Sequence, residues 1–171
     1  GGWLQAAGRE HPNSLLQNDG RGGFRDVTFS VGLAGEGLDF PTQTAAWADF
    51  DNDGDLDLYV GNEGFDGQLF RNDNGHFIDI APEAGVDGAG GVKGTAWGDY
   101  DNDGDEDLYV AVRGGANRLY RNDGMGRFED VAQELGVAGP QRSFPVWFWD
   151  CNNDDALDLY VASYREGVDQ V

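Results

Sequence analysis

Short apolar stretches alternate with acidic or glycine-rich turns along most of this chain. In residues 94–131 the pattern predicts four strands. Gly94-Thr95-Ala96-Trp97 runs into an acidic loop, and Leu108-Tyr109-Val110-Ala111 leaves it. Arg118-Leu119-Tyr120-Arg121 follows a glycine-rich connection, and Arg127-Phe128-Glu129-Asp130-Val131 follows an Asn-Asp-Gly turn of the hairpin type. A further Gly-rich connection leads to the next inner strand.

The same arrangement recurs. Leu-Leu-Gln-Asn-Asp-Gly (15–20), Leu-Phe-Arg-Asn-Asp-Asn-Gly (69–75) and Leu-Tyr-Arg-Asn-Asp-Gly (119–124) are equivalent. Each leads to a Phe (Phe24, Phe77, Phe128), then an Asp (Asp26, Asp79, Asp130), then a Gly (Gly32, Gly85, Gly136). Four strands in a unit of about 50 residues describe a propeller blade. The expected fold is therefore all-β, a segment of a β-propeller with four-stranded antiparallel blades and the acidic loop between the first and second strands. Residues 42–91 and 92–141 read as complete blades. Residues 1–41 read as a partial blade of outer strands without an acidic loop, and 142–171 as a partial blade that begins with one. A closed propeller needs more blades than this. The expectation is a part of a longer protein, or a chain whose end sheets are completed by further blades or another copy.

The loops carry the chemistry. Asp49-Phe50-Asp51-Asn52-Asp53-Gly54-Asp55-Leu56-Asp57 and Asp99-Tyr100-Asp101-Asn102-Asp103-Gly104-Asp105-Glu106-Asp107 share one pattern. Asp150-Cys151-Asn152-Asn153-Asp154-Asp155-Ala156-Leu157-Asp158 is a worn copy, and each loop runs into Leu-Tyr-Val. Alternate residues of a curling segment point the same way, so positions 1, 3 and 5 can converge. Gly at position 6 allows a left-handed turn around an ion. Position 7 offers its carbonyl and position 9 closes the shell. The candidate metal ligands are Asp49, Asp51, Asp53, Asp55 (carbonyl) and Asp57; Asp99, Asp101, Asp103, Asp105 (carbonyl) and Asp107; and Asp150, Asn152, Asp154, Ala156 (carbonyl) and Asp158.

An all-oxygen set suits Ca2+. An EF-hand would need a bidentate Glu at position 12 and a following helix, whereas Val60, Val110 and Val161 stand there within strand-forming sequence. Mg2+ keeps its waters and tolerates little distortion. Zn2+ wants His or Cys, of which the chain has two and one. Packing so many carboxylates into nine residues costs repulsion, which a cation relieves. The third loop lacks Gly at position 6, where Asp155 must take the left-handed turn at some cost.

Composition narrows the setting. The formal charge is −21, and fifteen of the 32 acidic residues lie in the three loops. Three bound Ca2+ would leave about −15, which excludes nucleic acid as a partner and disfavours direct contact with anionic lipid. No apolar run has the length of a membrane helix. No signal segment is visible in the sequence. The single Cys151 forms no intrachain disulfide and is expected to be a buried structural thiol pointing away from the ion. Loops of low affinity are useful where calcium is plentiful, which points to an extracellular or cell-surface protein stapled by calcium. Trp47, Trp97 and Phe148 each stand two residues before a loop and are expected to pack between blades. Trp3, Trp147 and Trp149 lie outside that register and are also expected in the core.

The strings Trp-Ala-Asp-Phe-Asp-Asn-Asp-Gly-Asp-Leu-Asp-Leu-Tyr-Val (47–60) and Leu-Tyr-Arg-Asn-Asp-Gly (119–124) resemble the FG-GAP/VCBS repeats found as calcium-loop blades in integrin alpha-subunit heads. The nearest likeness is to bacterial secreted VCBS proteins, often with an ASPIC/UnbV domain, and to cartilage acidic protein. The resemblance spans roughly residues 13–161. It implies Ca2+ in the loops and blades arranged as a propeller, usually of seven. Asp155 and Ala156 depart from its usual Gly-Asp.

Two function classes follow. The first is a non-catalytic surface or matrix module that binds a protein or glycan partner or builds an assembly. The second is a piece of a secreted carbohydrate-active enzyme of the lyase type. Against the second, no Ser-His-Asp or Cys-His arrangement is present, and His11 and His76 read as turn residues. The Gly-rich stretches lack the Lys-Ser/Thr of a phosphate loop. The carboxylates left over, Asp26, Asp79 and Asp130, repeat in register, as structural residues do.

Overall fold

The computed structural model describes residues 13–34, 40–140 and 142–163. Strands β1 (Leu16–Asn18) and β2 (Phe24–Asp26) form a hairpin. Strands β3 (Thr42–Ala48), β4 (Asp57–Asn62), β5 (Gln68–Asn72) and β6 (Phe77–Asp79) form a four-stranded antiparallel sheet in sequential order. A short helix α1 (Ala81–Ala84) follows. Strands β7 (Val92–Gly98), β8 (Asp107–Val112), β9 (Arg118–Asn122) and β10 (Phe128–Asp130) repeat the sheet, and β11 (Ser143–Trp149) pairs with β12 (Asp158–Ser163). The described residues are thus nearly all β, and the two full sheets have the strand order of propeller blades.

The registers are the same from sheet to sheet. Trp47 faces Leu58 across β3–β4, Trp97 faces Leu108 across β7–β8, and Phe148 faces Leu159 across β11–β12. Every residue of β4 and of β8 is buried, as expected of strands covered on both faces. Strand β12 instead alternates, because among the described residues only one of its faces is covered.

Three cores lie between successive units. One packs Leu33, Leu58, Val60, Phe70 and Phe77 with Leu15 and Val31. The next joins Phe50, Tyr59, Leu69 and Val86 to Val92, Leu108 and Val110. The third joins Tyr109, Leu119 and Val131 to Val146, with Phe148, Leu159 and Val161 against it. Polar links cross the same seams: Trp97 Nε1 donates to the Ala46 carbonyl at 3.2 Å, and the Thr44 and Thr95 hydroxyls lie 3.2 Å apart.

The pre-loop aromatics divide. Trp97 packs on Phe50 and Phe128, with ring centroids 6.3 and 6.1 Å away, and Phe148 is half-buried against the preceding sheet. Trp47 points at the β1–β2 unit but stays 44% exposed, because that unit offers only a hairpin among the described residues. Trp147 and Trp149, expected in the core, lie outside it. They are 54% and 71% exposed, on the face of β11 turned away from the rest of the structure. Their counterparts are Ala46 and Ala48 in β3, and Ala96 and Gly98 in β7. Those small residues let the next sheet approach: a Cβ on Gly98 would sit 2.8 Å from the Phe148 ring. Trp3 and His11 lie outside the described residues.

The strand pattern of the sequence predicts no helix at α1. Pro82 opens its first turn, and the Gly85 N–H, in left-handed conformation at φ 82°, donates to the Ala81 carbonyl. It buries Ala81 and Ala84. The equivalent stretch after β10 is a run of turns.

Candidate metal centre

Each acidic loop is wound by its first residue. Asp49 accepts the Asp53 N–H on Oδ1 and the Gly54 N–H on Oδ2, both at 3.0 Å. Asp99 accepts Asp103 and Gly104 in the same way, at 3.0 and 2.9 Å. Asp150 accepts Asp154 and Asp155 at 3.1 and 3.0 Å. Position 6 is left-handed in all three, with φ of 94° at Gly54, 95° at Gly104 and 67° at Asp155. The third loop therefore completes the turn without glycine.

The last residue joins loop to sheet. Asp57 is fully buried and accepts the Phe50 N–H at 3.1 Å and the Asn72 N–H at 2.8 Å. Asp107, equally buried, accepts Tyr100 at 3.2 Å and Asn122 at 2.8 Å. The second donor in each pair comes from the third strand of the blade, whose Asn side chain also holds the loop carbonyl of Leu56 or Glu106. Among the described backbone donors Asp158 accepts the Cys151 N–H, at 3.0 Å, and it is exposed.

These constraints gather three carboxylates in each of the first two loops. One oxygen each of Asp49, Asp51 and Asp57 lie within 4.8 Å of one another, and so do those of Asp99, Asp101 and Asp107. Oxygens on opposite sides of a Ca2+ ion are about 4.6–5.2 Å apart, so the spacing fits. Asp51 Oδ1 is buried with no hydrogen-bond partner, an acceptor without a donor. Burial pushes the Asp57 carboxyl up to about 6 and that of Asp107 up to about 7, despite the backbone bonds that oppose it. Burial and then the neighbouring Asp53 or Asp103 raise Asp51 and Asp101. A cation would relieve each of these.

Other candidate ligands stand outside the triads. Asp53 and Asp103 accept from the N–H of Asp55 and Asp105 at 2.8 and 3.0 Å. The side chain of Asp55 accepts from the Asn74 N–H and that of Asp105 from Asn52, so each turns away and leaves its carbonyl for the loop. The third loop has Asn152 where Asp51 and Asp101 stand, so a carboxylate triad at positions 1, 3 and 9 is not available to it. There Asn152 and Asp154 bond to each other, Asn152 Nδ2 donating to Asp154 Oδ2 at 2.9 Å, and Ala156 N–H donates to Asp154.

Cys151 is exposed rather than buried. Its counterpart Phe50 is covered by Trp97 and Phe128 of the next sheet, and no described residue does this for Cys151. A hydrogen bond to Asp158 raises the thiol and lowers the Asp158 carboxyl. Asn52, Asn102 and Asn153 at position 4 are also left-handed, at φ 58°, 58° and 61°. Their recurrence at one place in three loops was the available signal, since Asn tolerates that conformation.

The repeated acids outside the loops cap turns. Asp26 accepts Thr28, Asp79 accepts the Ala81 N–H and Asp130 the Ala132 N–H. His76 is an exposed turn residue.

No curated protein matches the chain at a significant level. The FG-GAP-like repeat matches three overlapping stretches, residues 4–60, 49–110 and 99–161. Each of the last two begins at an acidic loop and ends on the strand that leaves the next. With these matches spanning most of its length, and with the blade-like sheets that the repeats imply, the chain belongs to the FG-GAP-like repeat family of β-propeller modules.

Proposed function

We propose that this propeller segment is a calcium-stapled, non-catalytic module of the cell surface or extracellular space, acting in adhesion or assembly by binding a protein or glycan partner. The carrying observation is the pair of carboxylate triads, Asp49–Asp51–Asp57 and Asp99–Asp101–Asp107, each within 4.8 Å. Asp53 and the Asp55 carbonyl would complete the first shell, Asp103 and the Asp105 carbonyl the second. Asp150, Asn152, Asp154, the Ala156 carbonyl and Asp158 would form a third and weaker site. Bound Ca2+ supplies no reaction chemistry in this reading. It neutralises the loop and ties the first two strands of a blade together. Sites of extracellular modules bind at about 10⁻⁴–10⁻³ M, which suits calcium outside the cytosol. Among the described residues no helix is long and apolar enough to cross a membrane.

A lyase-type reading has no observation in its favour, since Asp26, Asp79 and Asp130 are engaged as turn caps. Thermal melting tests the calcium reading. At ten times Kd each independent site adds about 1.4 kcal/mol, so excess chelator should lower the midpoint by several degrees. A melting curve indifferent to chelator and to added calcium would overturn it.

A further inference from the structure

The loops are linked to one another by a residue that ligand chemistry does not use. Asn52, at position 4 of the first loop, donates through Nδ2 to Asp105 Oδ1 at 2.9 Å and lies 3.5 Å from the Gly104 carbonyl. Asn102, its counterpart in the second loop, donates to the Asp155 carbonyl at 3.2 Å. Both bonds cross from one unit to the next: the first lands on positions 6 and 7 of the receiving loop, the second on position 6. That is where the chain reverses and where the carbonyl ligand is presented. The left-handed backbone at Asn52 and Asn102 belongs to the turn wound by Asp49 or Asp99. Ordering one loop therefore fixes the donor, and ordering the next fixes its acceptor.

We propose that Asn52 and Asn102 are positioning residues that couple neighbouring calcium loops, so that metal in one loop raises the affinity of the next. This rests on the calcium reading. The Asn52 bond also restrains the Asp105 carboxylate, so that position 7 contributes its carbonyl while its side chain is engaged across the seam. Coupling of this kind is reciprocal, so the receiving loop favours the donating one by the same factor. One hydrogen bond at an exposed site corresponds to about twofold to threefold in affinity.

The test uses the full 171-residue chain labelled with ¹⁵N and titrated with Ca2+. The Gly54 and Gly104 amides report the first and second loops separately, because each donates to the position-1 carboxylate of its own loop. Asp101→Ala empties the second loop. It should move the Gly54 midpoint to about threefold higher calcium when residue 52 is Asn. It should leave that midpoint unmoved in an Asn52→Gly background, since Gly keeps the left-handed turn and deletes only the amide. A merely structural bond would not make the effect of Asp101→Ala depend on residue 52. A Gly54 midpoint indifferent to Asp101→Ala in both backgrounds overturns the coupling while calcium binding stands. Should Asn52→Gly unfold the chain, Asn102→Gly repeats the cycle between the second and third loops, read at Gly104 and at the Asp155 amide with Asp154→Ala. Absence of any calcium-dependent shift at Gly54 and Gly104 in the unaltered chain overturns both the metal reading and the coupling.

Discussion

The second and third acidic loops wind the same turn, with position-1 carboxylates accepting the same pair of backbone N–H groups. Yet only the second gathers its carboxylates. Asp107 is fully buried and held between Tyr100 and Asn122, while Asp158 is exposed and held by Cys151. Part of the difference is in the ligand residues, since position 3 is Asp101 in the second loop and Asn152 in the third, although Asp closes both. The burial of the closing Asp follows the third strand: β9 brings Asn122 beneath the second loop, and no described strand does so for the third. The gathering of carboxylates in this architecture depends on the whole blade as well as on the nine-residue loop.

The largest expected effect comes from removing the closing carboxylate. Asp107→Ala strands two N–H groups, Tyr100 and Asn122, and an unsatisfied buried donor costs about 1–3 kcal/mol. Urea unfolding in chelator should show a loss of about 2–4 kcal/mol. Asp158→Ala should be hard to distinguish from the unaltered chain in the same measurement. Equal losses would break the comparison, because they would make the loop alone responsible.

A second contrast is in pH. Asp57 and Asp107 are raised to about 6 and about 7 by burial, well above an unfolded carboxyl near 4. The folded state then holds protons that the unfolded state has released. Their contribution to stability is full below about pH 4 and is lost as pH rises through 6 to 7. In chelator the chain should melt higher at pH 5 than at pH 8. Asp107→Asn should flatten that slope. Asp158, whose carboxyl is lowered by the Cys151 hydrogen bond, has the opposite sign, and Asp158→Asn should not flatten it. With saturating calcium the fall toward pH 8 should shrink, since the metal takes the place of the proton.

The smallest effect sharpens the role of the third strand. The Asn122 side chain donates to the Phe50 carbonyl at 2.7 Å and to the Glu106 carbonyl at 3.1 Å, so it serves two loops. Asn72 donates to the Leu56 carbonyl. Asn122→Ala should cost about 1–2 kcal/mol and Asn72→Ala about half as much. Guanidinium denaturation of the two variants would check the ranking, and a reversed order would remove Asn122 from its place as a two-loop support.

Strands, hairpin turns and loop windings were legible because each depends on neighbours in sequence. Alternation marks β7 to β10, Asn-Asp-Gly marks the turn between β9 and β10, and Gly54 and Gly104 mark the left-handed turns. Burial was less legible because it depends on what covers the far face. Cys151 stands where Phe50 is buried, but no described residue covers it as Trp97 and Phe128 cover Phe50. Trp147 and Trp149 were expected inside on hydrophobicity alone, although Ala46, Ala48, Ala96 and Gly98 at the same places show that the seam there wants small residues. The reach of Asn52 into the next loop was invisible for a similar reason: its partner is fifty-three residues away. Helix α1 replaces a turn found elsewhere, where Pro82 and Gly85 fit the start and end of one helical turn.

The two tryptophans of β11 also give the array a direction. Gly98 leaves no room for even one added carbon beside Phe148, so an indole at that place would force the sheets apart. The stretch 143–149 therefore cannot be exchanged for 92–98, although their loops and registers correspond. Duplication can create such repeats, but side-chain volume at the seams then fixes their succession. Shuffling or permuting the units would have to carry whole seams, both flanking faces together, rather than single blades.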